Sequence, residues 1–192
     1  MTGQGQSASL KCEGLACVRG GRMLFTGIAL TLGPGEAALI TGPNGIGKSS
    51  LLRLLAGLLT PFAGSMKVAG RIALADERLA LDPALPLATA LNFWAKMDGR
   101  SVALDKMSLA HLADVPVRIL STGQRKRAVL AQTMASGADI WLLDEPANGL
   151  DSASLILLNS AMAAHRAAGG IIVAASHQPL DLPGATTLDL SQ

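Results

Sequence analysis

The sequence predicts an α/β fold around a mainly parallel sheet. Three observations carry that reading. Strand-like and helix-like patches alternate along the whole chain. One strand candidate, Ile140 to Leu143, is apolar at every position, as a strand covered on both faces should be. A glycine-rich stretch, Gly42 to Ser49, sits between a strand candidate and a helix candidate.

Leu10 to Val18 reads as the first strand. Ile28 to Leu32 and Ala37 to Thr41 follow, split by the turn Gly33-Pro34-Gly35. Ser49 to Leu59 sets Leu51, Leu52, Leu54, Leu55, Leu58 and Leu59 at helical spacing, and Pro61 and Gly64 punctuate its end. Met66 to Val68 and Arg71 to Leu74 read as short strands about Gly70. Leu87 to Met97 is apolar and helix-like, Thr122 to Ser136 is a helix with a basic start, and Ser152 to Ala168 is a further helix. Gly170 to Ala175 and Thr186 to Leu190 complete the strands. Residues 82–135 form one long, mostly helical insertion between strand regions, and there is no repeat, low-complexity segment or linker.

A chain of 192 residues has the size of one domain and can bury a real core. Hydrophobic residues make up 49% and charged residues only 16%, against about 25% in an ordinary globular chain. The mean hydropathy is +0.39. This composition excludes disorder. Yet no run free of Asp, Glu, Lys and Arg exceeds 14 residues, whereas a membrane-spanning helix needs about 20 apolar residues. Sixteen basic against fourteen acidic residues leave +2, which gives no electrostatic footprint for nucleic acid. Met1 to Ser9 is polar and small and lacks the basic start and apolar stretch of a signal peptide, which places the chain in the cytoplasm. Cys12 and Cys17 have no histidine partners nearby and read as two buried thiols rather than a zinc site or a disulfide framework.

Gly42-Pro43-Asn44-Gly45-Ile46-Gly47-Lys48-Ser49 fits the pattern G-x-x-x-x-G-K-[ST]. Its glycines let the backbone wrap close around phosphate with N–H groups pointing inward, and the helix that follows adds positive potential. Lys48 is placed to reach β- and γ-phosphates, and the Ser49 hydroxyl to ligate Mg²⁺. No N/T-K-x-D guanine motif occurs, so ATP is favoured over GTP. A second motif, Ile140 to Pro146, is an apolar strand ending in two acids. With that strand beside the phosphate loop, Asp144 can hold Mg²⁺ through its water shell, and Glu145 can orient or deprotonate an attacking water. A third segment is Leu120-Ser121-Thr122-Gly123-Gln124, followed by Arg125-Lys126-Arg127. Taken alone, Ser121 or Thr122 is a helix N-cap, and the basic triplet is a solvated first turn or an anion patch.

Ser121 stands 23 positions before Asp144. In that position its segment resembles the LSGGQ signature of ATP-binding-cassette (ABC) ATPases. Asn148-Gly149-Leu150-Asp151 and His177 then fall where that family's D-loop and switch histidine belong. The resemblance runs from about residue 8 to 190. It implies a single cassette over residues 1–192: a core of 1–81 and 136–192 with the phosphate loop, and a helical subdomain, 82–135, ending in the signature. It also implies a short antiparallel β part beside the mainly parallel sheet. Two copies would pack head to tail as a homodimer with ATP sandwiched between them. Gly42, Pro43, Asn44, Gly45, Ile46, Gly47, Lys48, Ser49 and Ser50 would hold the nucleotide from one side. Ser121, Gly123 and Gln124 would approach it from the partner copy, and Asp151 would connect the two sites. Lys48, Glu145 and His177 would be the catalytic residues, with Ser49 and Asp144 on Mg²⁺. Because each half-site alone lacks γ-phosphate ligands, hydrolysis would depend on dimerisation.

Three stretches resemble more narrowly the ATP-binding subunits of cytochrome c maturation systems, the haem-exporter type: Cys17 to Phe25, Ser50 to Leu58, and Leu91-Asn92-Phe93-Trp94. That resemblance implies an integral membrane permease subunit as partner, docked on the region around residues 82–97, at the cytoplasmic face of the inner membrane. The alternatives are an exporter ATPase for a drug, lipid or lipoprotein, and a non-transport ABC switch. A single short cassette without coiled-coil or zinc insertions argues against the nucleic-acid and ribosome branches, and the presence of both Glu145 and His177 argues against a catalytically weak switch. The chain departs from the family in three places. Arg19 stands where an aromatic residue usually stacks on adenine. The segment Ala75-Asp76-Glu77-Arg78 has no glutamine, and Arg78 or Glu77 falls nearest its place. Thr122 replaces the usual Gly or Ala of the signature.

Overall fold

The computed structural model describes residues 7–76, 81–97 and 99–191. Glu77 and Arg78, nearest the place of the family's glutamine, lie outside the described residues.

The chain opens with β1 (Ser9–Arg19) and β2 (Arg22–Leu32), an antiparallel hairpin whose last pair is Arg19 with Arg22. The turn between them is Gly20-Gly21, with φ of 56° and 76°. A two-residue hairpin turn with positive φ at both positions is the one that matches strand twist, and glycine adopts it without strain. The second strand therefore begins at Arg22 and not at Ile28, and Gly20-Gly21 is the signal that marks it. Then come β3 (Ala37–Thr41), α1 (Lys48–Leu55), β4 (Ala63–Ala69) and β5 (Ile72–Ala75). The helix α1 stops short of the expected Leu59. Gly57, at φ 72°, turns the chain left-handed, and the N–H groups of Ala56, Gly57 and Leu58 close on Leu52, Leu54 and Arg53 carbonyls.

The insertion contains α2 (Leu87–Met97) and α3 (Thr122–Ala135). Between them lie three short 3-10 helices, Leu104–Met107, Ala110–Leu112 and Val117–Ile119, so this stretch is less regularly helical than its composition suggests. The chain ends with β6 (Ile140–Asp144), α4 (Ser152–Ala167), β7 (Ile171–Ala175) and β8 (Thr186–Asp189).

These strands form two sheets. One is antiparallel with order β2-β1-β4; the other is wholly parallel with order β5-β6-β7-β3-β8. The parallel sheet is covered on both sides, which explains why β6 and β7 are buried at every position. Alternation along β6 shows the division: Ile140 and Leu142 join Leu51, Leu52 and Leu55 of α1 and the hairpin residues on one face. Trp141 and Leu143 join Leu91 of α2, Leu130 of α3 and Leu158 of α4 on the other. The acidic strand β6 is not the immediate neighbour of β3; β7 lies between them. The ends of all three strands still open on the same side, because the sheet is parallel.

Candidate functional site

The loop between β3 and α1 is shaped by its glycines. Gly42, Gly45 and Gly47 have φ of 131°, 77° and 120°. At Gly47 space adds to conformation, since a Cβ there would fall 3.0 Å from the Phe25 ring and 3.2 Å from Leu24 Cβ. The helix starts at once beyond it, with Leu51 N–H donating to Gly47 O at 2.8 Å.

Lys48 is only 6% exposed. Its Nζ donates to Gly42 O at 2.8 Å and Pro43 O at 3.2 Å, and lies 2.7 Å from His177 Nε2 and 3.9 Å from Glu145 Oε1. His177, just past β7, also brings Nε2 to 2.6 Å from Asn44 Oδ1, and its backbone N–H donates to Glu145 Oε2 at 3.2 Å. Glu145 adopts φ 47°, a left-handed backbone that a residue with a Cβ visits at a cost. Its N–H donates to Ala175 O at 2.8 Å, which fastens the end of β6 to the end of β7 and holds the strained residue in place. Glu145 Oε1 is buried with no hydrogen-bond partner. Asp144 is 7% exposed.

Asn44, Gly45, Gly47, Lys48, Ser49 and Ser50 from the loop, with Asp144, Glu145 and His177 from the strand ends, line one cleft of about 760 Å³. That lies within the size range of small-molecule sites. Asp144 is a buried carboxylate, which is costly by itself. Beside a serine hydroxyl in the same cleft, it suits a hard cation such as Mg²⁺, which takes one or two protein oxygens and completes its shell with phosphate and water. Among the described residues no group of three His, Cys, Asp or Glu side chains could hold a metal without such added ligands.

The remaining candidates lie apart from this cleft. Ser121 caps α3 through a reciprocal box: Gln124 N–H donates to Ser121 Oγ at 3.3 Å, and Ser121 N–H donates to Gln124 Oε1 at 2.8 Å. Gly123 packs against the turn after β6, where a Cβ would fall 2.8 Å from Gly149 O. Asp151 caps α4, accepting from Ser154 N–H at 2.7 Å; the Ser154 side chain first, and that N–H second, hold its carboxyl below the usual aspartate value. Arg19 is exposed at the end of β1 and is not among the residues lining the cleft; Leu24 of β2 is.

Sequence reasoning gave no site role to two further residues of the cleft. Arg53 and Asn148 also line the cleft, and Arg53 pairs with Asp76 at 3.2 Å. Its place four residues after Ser49, on the same helical face, is the signal that finds it. In the basic triplet Arg125 is exposed, as in a solvated first turn, and Lys126 and Arg127 are half-buried, but all three also reach backbone carbonyls. Arg125 donates to Arg118 O, Lys126 to Asp144 O, and Arg127 to Met107 O and Ser108 O. These bonds join α3 to the insertion and to the end of β6.

The ABC transporter family profile matches residues 25–148, from the hairpin through the phosphate loop and the signature to the turn after β6. The chain therefore belongs to the ABC transporter family, as an ATP-binding and ATP-hydrolysing subunit. Within that family it is 57% identical over 188 residues to the cytochrome c biogenesis ATP-binding export protein CcmA of Zymomonas mobilis, covering 96% of this chain and 85% of the relative. The protein of the same name from Sphingopyxis alaskensis is 55% identical over 179 residues, covering 91% and 92%. Among solved structures, a metal-chelate type ABC transporter in an inward-facing conformation superposes with a TM-score of 0.79 at 26% identity, over 95% of this chain and 80% of that one. Among the described residues no helix is long and apolar enough to cross a membrane.

Proposed function

We propose that this chain is the ATP-hydrolysing subunit of a haem-export or haem-handling complex for c-type cytochrome biogenesis. The observation that carries the reading is its identity of 54% to 57%, over more than nine-tenths of its length, with three cytochrome c biogenesis export proteins. It acts as a homodimer bound to an integral membrane permease subunit at the cytoplasmic face of the inner membrane. Residues 1–81 and 136–192 serve as the ATP-binding core and 82–135 as the helical subdomain.

In this reading the loop Gly42–Ser50 cradles the phosphates of ATP, and Lys48 neutralises charge on the β- and γ-phosphates. Ser49 and Asp144 would hold Mg²⁺, which would supply further neutralisation of phosphate charge. Glu145 orients the attacking water and accepts its proton, favoured by a carboxylate oxygen that no protein donor engages. His177 holds the γ-phosphate from its own subunit. Ser121, Gly123 and Gln124 complete the site of the other copy, and Asp151 links the two. This division is supported by the position of the signature, outside the cleft that the phosphate loop lines. Arg19 stacks on the adenine once the nucleotide extends beyond the cleft.

The permease docks beside α2. Leu87, Ala90, Leu91 and Ala95 face the core, while Phe93 and Trp94 are 58% and 41% exposed and form an edge-to-face pair with centroids 5.5 Å apart. Leu85 and Ile119 add exposed apolar surface on the same subdomain. The test is deletion of the gene in its host with complementation. The wild-type chain restores covalent c-type cytochromes and co-purifies with a multi-span membrane protein; replacing Phe93 and Trp94 with serine abolishes both. Normal c-type cytochromes in the deletion strain would refute the assignment.

A further inference from the structure

One ring nitrogen is claimed from two sides in the cleft. His177 Nε2 lies 2.7 Å from Lys48 Nζ and 2.6 Å from Asn44 Oδ1. It carries either one lone pair or one proton, never both. As an acceptor it takes a hydrogen bond from Lys48 and faces the Asn44 oxygen lone pair to lone pair. As an N–H it donates to Asn44 and turns a hydrogen toward an ammonium that has nothing to accept it. Turning the Asn44 amide does not resolve the conflict, because two donors would then compete for one lone pair.

The conflict bears directly on the lysine. An ammonium has three N–H groups. With Gly42 O at 2.8 Å, Pro43 O at 3.2 Å and His177 Nε2 as acceptors, all three are engaged, and none is left for a phosphate oxygen.

We propose that Asn44 is a positioning residue that acts through His177: by accepting a hydrogen bond from Nε2–H it draws the histidine off Lys48 and frees that lysine for the nucleotide. This rests on reading the cleft as the ATP site. In the locked form Nε2 is unprotonated and holds Lys48. In the released form the ring has exchanged tautomer, its one proton passing from Nδ1 to Nε2 by way of solvent; Nε2–H donates to Asn44 Oδ1, and the third Lys48 donor turns to phosphate. The other charged group facing the ring is Glu145, with Oε1 3.5 Å from Nε2. It also favours the protonated nitrogen, so it works with Asn44 and against Lys48. Nucleotide binding and the position of one proton are thereby linked.

The test uses ADP, which has no γ-phosphate for His177 to touch, so affinity reports the lock alone. Full-length wild type, Asn44→Ala, His177→Ala and the double variant are titrated with MgADP by calorimetry. Asn44→Ala binds about fivefold more weakly, the worth of one neutral hydrogen bond. His177→Ala binds more tightly than wild type, and the double variant matches His177→Ala, since Asn44 has nothing left to act on. An equal loss from Asn44→Ala with and without His177 overturns the proposal, as does no loss at all. The wild type supplies a second readout: ¹⁵N spectra of its histidine rings show His177 Nε2 passing from unprotonated to protonated as ADP is added. A nitrogen that does not change also overturns it. Failure of the wild type to bind any adenine nucleotide would instead remove the parent reading, and this one with it.

Discussion

Gly123 is a position where the structure and simple helix propensity point in opposite directions. It is the second residue of α3, and Ala is preferred to Gly inside a helix by about 0.8–1.0 kcal/mol, so replacement should stabilise. The structure opposes this. The added Cβ would fall 2.8 Å from Gly149 O, about 0.5 Å inside even a weak C–H···O contact. The obstacle is backbone, which cannot rotate away as a side chain could. Overpacking of this kind costs about 1–3 kcal/mol. Set against the propensity gain, Gly123→Ala loses up to about 2 kcal/mol, which at this chain length lowers Tm by up to about 8 °C. Thr122→Ala is the control, one residue away and exposed, with the propensity gain and no overlap. The variants are compared by thermal and urea unfolding, alongside Mg-ATP hydrolysis and nucleotide binding. Displacing Gly149 moves Asp151 two residues on, so hydrolysis falls at least tenfold, by about 1.4 kcal/mol or more in the barrier, while single-subunit nucleotide binding stays near wild type. If Gly123→Ala melts at or above wild type and hydrolyses normally, the close approach is not what requires glycine there.

Glu145→Gln keeps the shape of the side chain and removes the proton acceptor; turnover falls by about 10²–10⁴, ATP binding persists, and the dimer accumulates in gel filtration with ATP. Near-normal turnover would displace Glu145 from the role. Ser121→Ala breaks the reciprocal cap with Gln124 and lowers unfolding stability by about 1 kcal/mol, with hydrolysis lost as well; an unchanged urea midpoint would show that the cap contributes nothing. His165 stacks flat on Trp141, with centroids 3.9 Å apart, and burial pushes its imidazole below the ordinary 6.5. The folded state therefore keeps the ring neutral while the unfolded chain takes a proton. The associated stability is complete above 6.5 and is lost as pH falls through that value toward the lowered folded one. Urea midpoints at about pH 7.5 and about pH 5.5 should differ in wild type and converge in His165→Phe.

What the sequence made legible was local. The phosphate loop is a strand, a set of glycines and a helix start within eight residues, so its geometry is written where it occurs. The same holds for the Ser121–Gln124 cap and for β6, whose unbroken apolar run shows that both its faces are covered. The parts that could not be read depend on partners distant in the chain. That β7 separates β3 from β6 follows from how the crossovers wind, and no residue of β6 encodes it. The carbonyls that accept from Arg125, Lys126 and Arg127 lie between 7 and 20 positions away, so a run of charge looks the same whether it is only solvated or also hydrogen-bonded to the fold. Gly123 illustrates the difference most sharply. In the sequence it is a member of a motif, and its requirement for glycine attaches to ATP on a second copy. In the structure the requirement already exists within one copy, set by the Gly149 carbonyl. A glycine needed for both reasons links signature and D-loop before any nucleotide is bound. Motion of one should therefore be transmitted to the other through direct backbone contact, without an intervening side chain.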